Sequence, residues 1–225
     1  MYEMASDGSS EYTSRTLRDL LNYVNSEAKT IDFGSREEAH EVEGQDIIEH
    51  SAVSELRLRD LRRLDYQFNP NEEKSVLVRR HAVLFAMDPL RAVVMANRLI
   101  LIVPDGADSL ITILDQYMKE WNGEDKKIAF EAHAYEALLT TIKALETQEF
   151  TSINKTVQDV LSYFKTGSLL PIEIQEKTRK LKNFLSIMCS RVHTSINVLQ
   201  DLTEDDEEMA LMNLTFLGKK PKLYT

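Results

Sequence analysis

The sequence predicts an α/β fold of the α+β kind, a small, mainly antiparallel sheet flanked by helices and followed by a bundle of long helices. Three observations predict it. Runs rich in Val, Leu and Phe cluster between Ser75 and Pro104, and such residues favour a pleated surface. From Lys127 onward the apolar residues step by three and four with few breaks, which is the period of an amphipathic helix. The 43% hydrophobic content of the 225 residues is enough for a sizeable core.

Taken in order, residues 1–12 are polar and small and are expected to be unstructured or an artificial remnant. TSRTLRDLLNYV predicts a short helix with Leu17, Leu20, Leu21 and Val24 on one side. Residues 26–49 hold eight acids, two glycines and little periodicity, and are read as a loop with at most a weak strand. Ser51 caps a short helix over residues 52–58. SVLVRRHAVLFAM lacks turn residues and reads as a strand. Pro89 can begin a helix, so PLRAVVMAN is expected to form a short one, followed by the buried strand LILIVP and a turn at PDGAD. In ADSLITILDQYMKEW, Leu110, Ile113, Leu114, Tyr117, Met118 and Trp121 fall at helical spacing.

After a break at NGEDK, three helices are expected. IAFEAHAYEALLTTIKALETQEF gives one, and TSINKTVQDVLSYFKTG a second, with Gly167 as its C-cap. Pro171 starts the third, whose Leu181, Leu185, Met188, Val192, Ile196, Leu199 and Leu202 form an apolar seam. The organisation is thus a flexible segment with a short helix (1–50), a sheet-containing part (51–125), a long-helix part (126–216) and a tail (217–225).

Charge and cysteine content narrow the function classes. The 37 acids against 27 Lys and Arg leave a net charge of -10, which argues against nucleic acid as a partner and favours cations or basic partners. One cysteine, Cys189, allows no internal disulfide. The longest apolar runs, AVLFAM and LILIVP, are short of the ~20 residues that span a bilayer. Seven dispersed glycines supply neither GxGxxG nor a Walker sequence, so nucleotide chemistry is unsupported. Cys189 and His193, four apart on a helix, are the one thiol and base pair at contact spacing, and no third orienting group is apparent. An enzyme is not expected.

Two clusters could hold a cation. Glu131, His133 and Glu136 lie within two turns of one helix, where a solvated face is the plainer reading. Glu204, Asp205, Asp206, Glu207 and Glu208 form an uninterrupted acid run. Like charges one turn apart cost an isolated helix roughly 0.2–0.5 kcal/mol per pair, so the run needs open solvent or a cation. Magnesium prefers oxygen ligands and takes one or two carboxylates while keeping its water. Composition alone leaves both readings open. The Arg- and Asp-rich stretch LRLRDLRRLD reads as an internal ion-pair network that fixes a corner, not as an anion site.

The order of these motifs adds a resemblance. LRLRDLRRLD, with Arg59, Asp60, Arg62 and Asp65, resembles the Leu-x-x-Arg-Asp-Leu-Arg-x-x-Asp motif of the eukaryotic, largely mitochondrial branch of the CorA magnesium channels. HAVLFAMDPLRAVVMANRLILIVPD resembles that family's strand, turn and second strand. FEAHAYEALL is similar to its Phe-Glu-x-Arg-Ala-Leu-Glu helix start, with His133 where Arg is usual, and DDEEMALMNLT to its Asp-Asp-x-Asp-Met-Ala-x-Met-Tyr-Leu-Thr signature, with Asn213 in place of Tyr. The resemblance covers residues 56–215.

The family's two transmembrane helices and Gly-Met-Asn pore signature are absent, so the expectation is a channel's excised N-terminal domain, meeting the membrane only through C-terminal helices not present here. The resemblance implies a homopentamer in which magnesium, or another divalent cation, at acidic positions favours the closed state. Asp205, Asp206, Glu207 and Glu208 are the first candidates, then Asp88, Glu131 and Glu136. The implied compartment is the mitochondrial inner membrane with this domain facing the matrix; vacuolar, plastid and plasma membranes are the alternatives. The competing expectation is a non-transporting soluble interaction or scaffold protein that kept the fold.

Overall fold

β-branched and aliphatic residues with no polar alternation mark strands covered on both faces, and this is what the middle of the chain builds. A computed structural model describes residues 1–12, 18–24, 60, 64, 75–79, 81–102, 108–120, 128–165 and 171–219. Six strands form one sheet: β1 (Tyr2–Ala5), β2 (Ser10–Tyr12), β3 (Ser75–Arg79), β4 (Ala82–Met87), β5 (Leu90–Val94) and β6 (Arg98–Leu101). Their order is β2-β1-β6-β5-β4-β3, and every pairing is antiparallel. The helices are α1 (residues 18–24), α2 (Asp108–Glu120), α3 (Phe130–Lys165), α4 (Ile172–Glu204), α5 (Asp206–Leu211) and α6 (Leu214–Lys219). The mixed sheet-and-long-helix architecture is the one the sequence predicts.

Four expectations are corrected. The N-terminus is not unstructured, since β1 pairs with β6 through the register Glu3↔Ile100. Glu3 is buried there, accepting hydrogen bonds from Arg98 Nη1 (2.7 Å) and Tyr23 Oη (2.8 Å). SVLVRRHAVLFAM is a hairpin and not one strand, because Arg79 pairs with Ala82. A two-residue connection needs no glycine if the flanking cross-strand pairs hold it. PLRAVVMAN is the strand β5 rather than a helix, with Met87 opposite Leu90 across the turn at Asp88 and Pro89. All five β5 residues are buried, and the sheet packs Ala92, Val93 and Val94 on two faces, which outweighs the helix-starting tendency of Pro89.

The fourth correction joins two expected helices into the single 36-residue α3. The Thr-rich middle looks like a break, yet Thr147 and Thr151 donate from Oγ1 to the carbonyls four residues back, Lys143 (2.7 Å) and Thr147 (2.8 Å). A hydroxyl bonded this way follows the helix instead of competing with it. The expected helix at 52–58, the loop at 26–49, residues 104–107 of the PDGAD turn, the NGEDK break and the Gly167 cap lie outside the described residues, and Asp108 begins α2.

The sheet is covered on both sides. One face, with Phe85, Met87, Val94 and Leu101, packs on Leu110, Leu114 and Met118 of α2 and on Ala134, Leu138 and Ile142 of α3. The other face, with Leu84, Val93 and Ile100, packs on Leu20 and Val24 of α1 and on Leu64. α3 and α4 continue past the sheet as an antiparallel hairpin, pinned by Arg191 of α4 to Glu149 of α3 and, at 3.9 Å, to Glu146. The seam is only half realised: Met188 and Leu202 are buried, Leu181, Leu185, Val192 and Leu199 are half-buried, and Ile196 is exposed.

Candidate functional site

The acid run falls at a break between two helices. α4 ends at Glu204, and Asp205, in an extended conformation (φ -95°, ψ 98°), becomes the N-cap of α5. Its Oδ1 accepts from the backbone N–H groups of Glu207 and Glu208, both at 3.0 Å. Ncap carboxylates favour a helix start by satisfying such orphan donors, and the acids of the first turn meet the positive end of the helix. The run is therefore divided: one residue caps, and Asp206, Glu207 and Glu208 occupy the first turn.

Asp201, Glu204, Asp205, Asp206 and Glu207 line one open, solvent-facing depression. Among the described residues none of these carboxylates has a Lys or Arg within 4 Å. Asp201 was missed by the sequence reading. Its position three and four residues before Glu204 and Asp205 is the signal that could have found it, since such spacing stacks side chains on one helix face. The donor set is all carboxylate oxygen, which suits a hard divalent cation that keeps most of its water. Among the described residues no group of three or more His, Cys, Asp or Glu converges closely enough to ligate a metal directly.

The remaining candidates lie elsewhere. Glu131, at the start of α3, is buried and accepts from the backbone N–H (2.8 Å) and the Oγ1 (2.7 Å) of Thr215 in α6. One turn on, Tyr135 donates to the carbonyl of Met212 (3.0 Å). Burial, followed by the Glu131 charge, pushes the Tyr135 phenol well above its ordinary range. The two motifs FEAHAYEALL and DDEEMALMNLT thus meet through Glu131 and Thr215, which fix α5 and α6 against the sheet-proximal end of the hairpin. Thr215 is a residue whose role the sequence reading did not see.

Asp88 sits at the β4–β5 turn and accepts from Nε of the buried Arg91 at 3.1 Å, with Nη2 of the same guanidinium ion-paired to it at 3.1 Å. It already has a cationic neighbour. Glu136 is exposed on α3. His133 is half-buried, with Nε2 3.2 Å from the Tyr117 carbonyl, and burial lowers its pKa below the ordinary imidazole value, against smaller raising effects from that carbonyl and Glu136. Of the Arg-Asp motif, buried Asp60 accepts from Nε and Nη2 of Arg79 at 3.3 Å; Arg59, Arg62 and Asp65 lie outside the described residues. Cys189 and His193 are both exposed.

A six-stranded antiparallel sheet, a long helical hairpin and an acidic helix break define the class, a mixed α+β protein. The family described as MRS2-like magnesium transporter matches residues 35–223. The chain is 32% identical over 161 residues to "Magnesium transporter MRS2-11, chloroplastic" of Arabidopsis thaliana, covering 69% of this chain and 34% of that protein. It is 25% identical over 180 residues to "Magnesium transporter MRS2-7" of the same organism, covering 72% and 44%. The chain belongs to the MRS2-like magnesium transporter family. It spans about a third of the first relative's length and 44% of the second's. Among the described residues no helix is long and apolar enough to cross a membrane.

Proposed function

We propose that this chain is the regulatory, magnesium-sensing part of a CorA-type magnesium channel that assembles as a homopentamer, and that it is not an enzyme. The observation that carries the reading is the open depression of five carboxylates, without a basic partner among the described residues, on a helix break fixed to the core by Glu131 and Thr215. Hydrated magnesium, or another divalent cation, held among Asp205, Asp206, Glu207 and Glu208 offsets the repulsion between them and between copies that each carry a net -10. Loss of the ion restores the repulsion and favours opening. Asp88 and Glu131 support the site at a distance, through the pairings that hold the β4–β5 turn and α6, and exposed Glu136 adds to the acidic field.

The proposed setting is an organelle membrane, the mitochondrial inner membrane with this part facing the matrix. The relative named chloroplastic makes the plastid the first alternative. Magnesium is both the transported and the regulatory ion in this reading.

The test is a magnesium titration followed by melting temperature, with Asp205→Asn, Asp206→Asn, Glu207→Gln and Glu208→Gln combined. Asn retains the capping oxygen, so the fold is kept. An ion at 100 times its Kd stabilises by about 2.7 kcal/mol, a rise of roughly 5–10 °C for a chain of this size. The combined variant should lose that rise, and an unchanged response assigns the ion elsewhere.

A further inference from the structure

The hairpin tip, where α3 ends and α4 begins, differs in charge from the rest of the chain. Residues 155–165 and 171–182 hold six basic side chains (Lys155, Lys165, Lys177, Arg179, Lys180 and Lys182) and three acids (Asp159, Glu173 and Glu176). The tip is thus three charges positive in a chain whose total is -10. Arg179 is held by Glu176 at 2.8 Å and Lys180 stands 3.9 Å from the same carboxylate. Lys155, Lys165, Lys177 and Lys182 are exposed, with no acid within 4 Å among the described residues. At ~1.5 Å of rise per residue, Ile172 lies about 48 Å from Glu204. Screening acts over about 8 Å at physiological salt, so the acid run at the other end does not cancel this field.

Large apolar groups share the tip. Leu161, Tyr163 and Phe164 are 44%, 47% and 49% exposed, and Ile172 is 83% exposed. They do not form a stripe: at ~100° per residue Tyr163 points nearly opposite Leu161, while Phe164 lies beside it. A protein groove takes a helix by one face, whereas a fluid surface receives an end whose apolar groups point in several directions. Aromatic rings beside lysines suit the boundary between headgroups and acyl chains.

We propose that the hairpin tip is a docking surface for an anionic lipid bilayer, with Leu161, Phe164 and Ile172 entering the headgroup boundary and the lysines meeting lipid phosphates. Each basic residue near such a surface contributes about fivefold in partitioning. This docking is separate from the cation role at the opposite end of the hairpin.

Flotation of the whole chain with vesicles tests it, in EDTA so that divalent ions cannot bridge acids to lipid. Vesicles of phosphatidylcholine mixed with phosphatidylglycerol should float the chain, less so as salt rises, and phosphatidylcholine alone should not. Lys177→Gln, Lys180→Gln and Lys182→Gln together should lower partitioning about 100-fold. Phe164→Ser with Ile172→Ser should weaken it in a way that salt does not restore. All five positions are exposed, so circular dichroism and melting should be unchanged. Equal flotation by both vesicle types, or by the triple Lys variant, overturns the proposal. So does self-association in sedimentation velocity that the triple variant loses while vesicles stay unbound, since the tip's partner is then the acid run of a second copy. Failure here leaves the magnesium titration untouched, because none of these residues lies in the acidic depression.

Discussion

Strand β4 buries all six of its residues, Ala82–Met87, whereas the 33-residue helix α4 buries three, Met188, Ser195 and Leu202. The same chain therefore contains a region stabilised by its own interior and one that leaves most of its surface to solvent. The sheet is enclosed by α1 on one face and by α2 and α3 on the other. Beyond the sheet, α3 and α4 are joined by the pairs of Arg191 with Glu146 and Glu149. Stability resides at the base, and the projecting hairpin is where partners can act without breaking the core.

The sharpest way to break that contrast is in the core. Phe85 is 2% exposed and its ring lies 5.7 Å from that of Tyr135. Phe85→Ala should cost about 3–5 kcal/mol through lost transfer energy and a cavity, read as a fall in the urea midpoint at unchanged slope. A loss below ~1 kcal/mol would mean that the sheet does not anchor the molecule.

Next in size is the junction between base and hairpin. Glu131→Ala leaves the Thr215 N–H without its carboxylate, and hydrogen bonds to charged groups contribute about 1.5–3 kcal/mol. In a double-mutant cycle with Thr215→Val, urea unfolding should give a coupling energy of about 2 kcal/mol. Additive costs would show that the Thr215 Oγ1 bond does not couple the two motifs, the backbone N–H bond being kept in Thr215→Val.

The elements that the sequence revealed are those whose signals are local. Leu110, Leu114 and Met118 announce α2 by spacing alone, and all three are buried. β1 was hidden because Glu3 looks like a surface residue until Arg98, 95 positions away, is beside it. The β3–β4 turn was hidden because cross-strand pairing, not glycine, fixes it. At the site, the acid run was plain in one dimension. That Asp205 caps α5, and that Glu131 is engaged by Thr215 84 positions later, depends on where the chain folds back.

A smaller effect probes the contact between α2 and α3. His133 has a folded pKa below its ordinary value of 6.5, burial being the first cause. The unfolded chain therefore binds more protons than the folded one between the lowered value and 6.5, and stability rises with pH across that window. The contribution is complete above pH 6.5 and is lost as the pH falls towards the folded value. Melting temperature measured from pH 7.5 down to pH 5 should fall less steeply in His133→Gln than in the parent. Equal slopes would place the acid sensitivity in other groups.

The smallest expected effect is the most informative about the hairpin. Phe184 and Ile187 on α4 are 44% and 62% exposed, so Phe184→Ser with Ile187→Ser removes little buried area and should change stability by under about 0.5 kcal/mol. Dilute chain should melt almost as the parent does. Concentration then separates two explanations of why such large apolar groups face solvent. If the parent melts higher as its concentration rises and the variant does not, copies cover this face by mass action. If both melt alike at every concentration, the face is free in the chain alone and the hairpin contributes nothing further to its stability. A cost of several kcal/mol in dilute, monomeric chain would contradict the contrast itself, because it would require these side chains to be buried where the structure leaves them open.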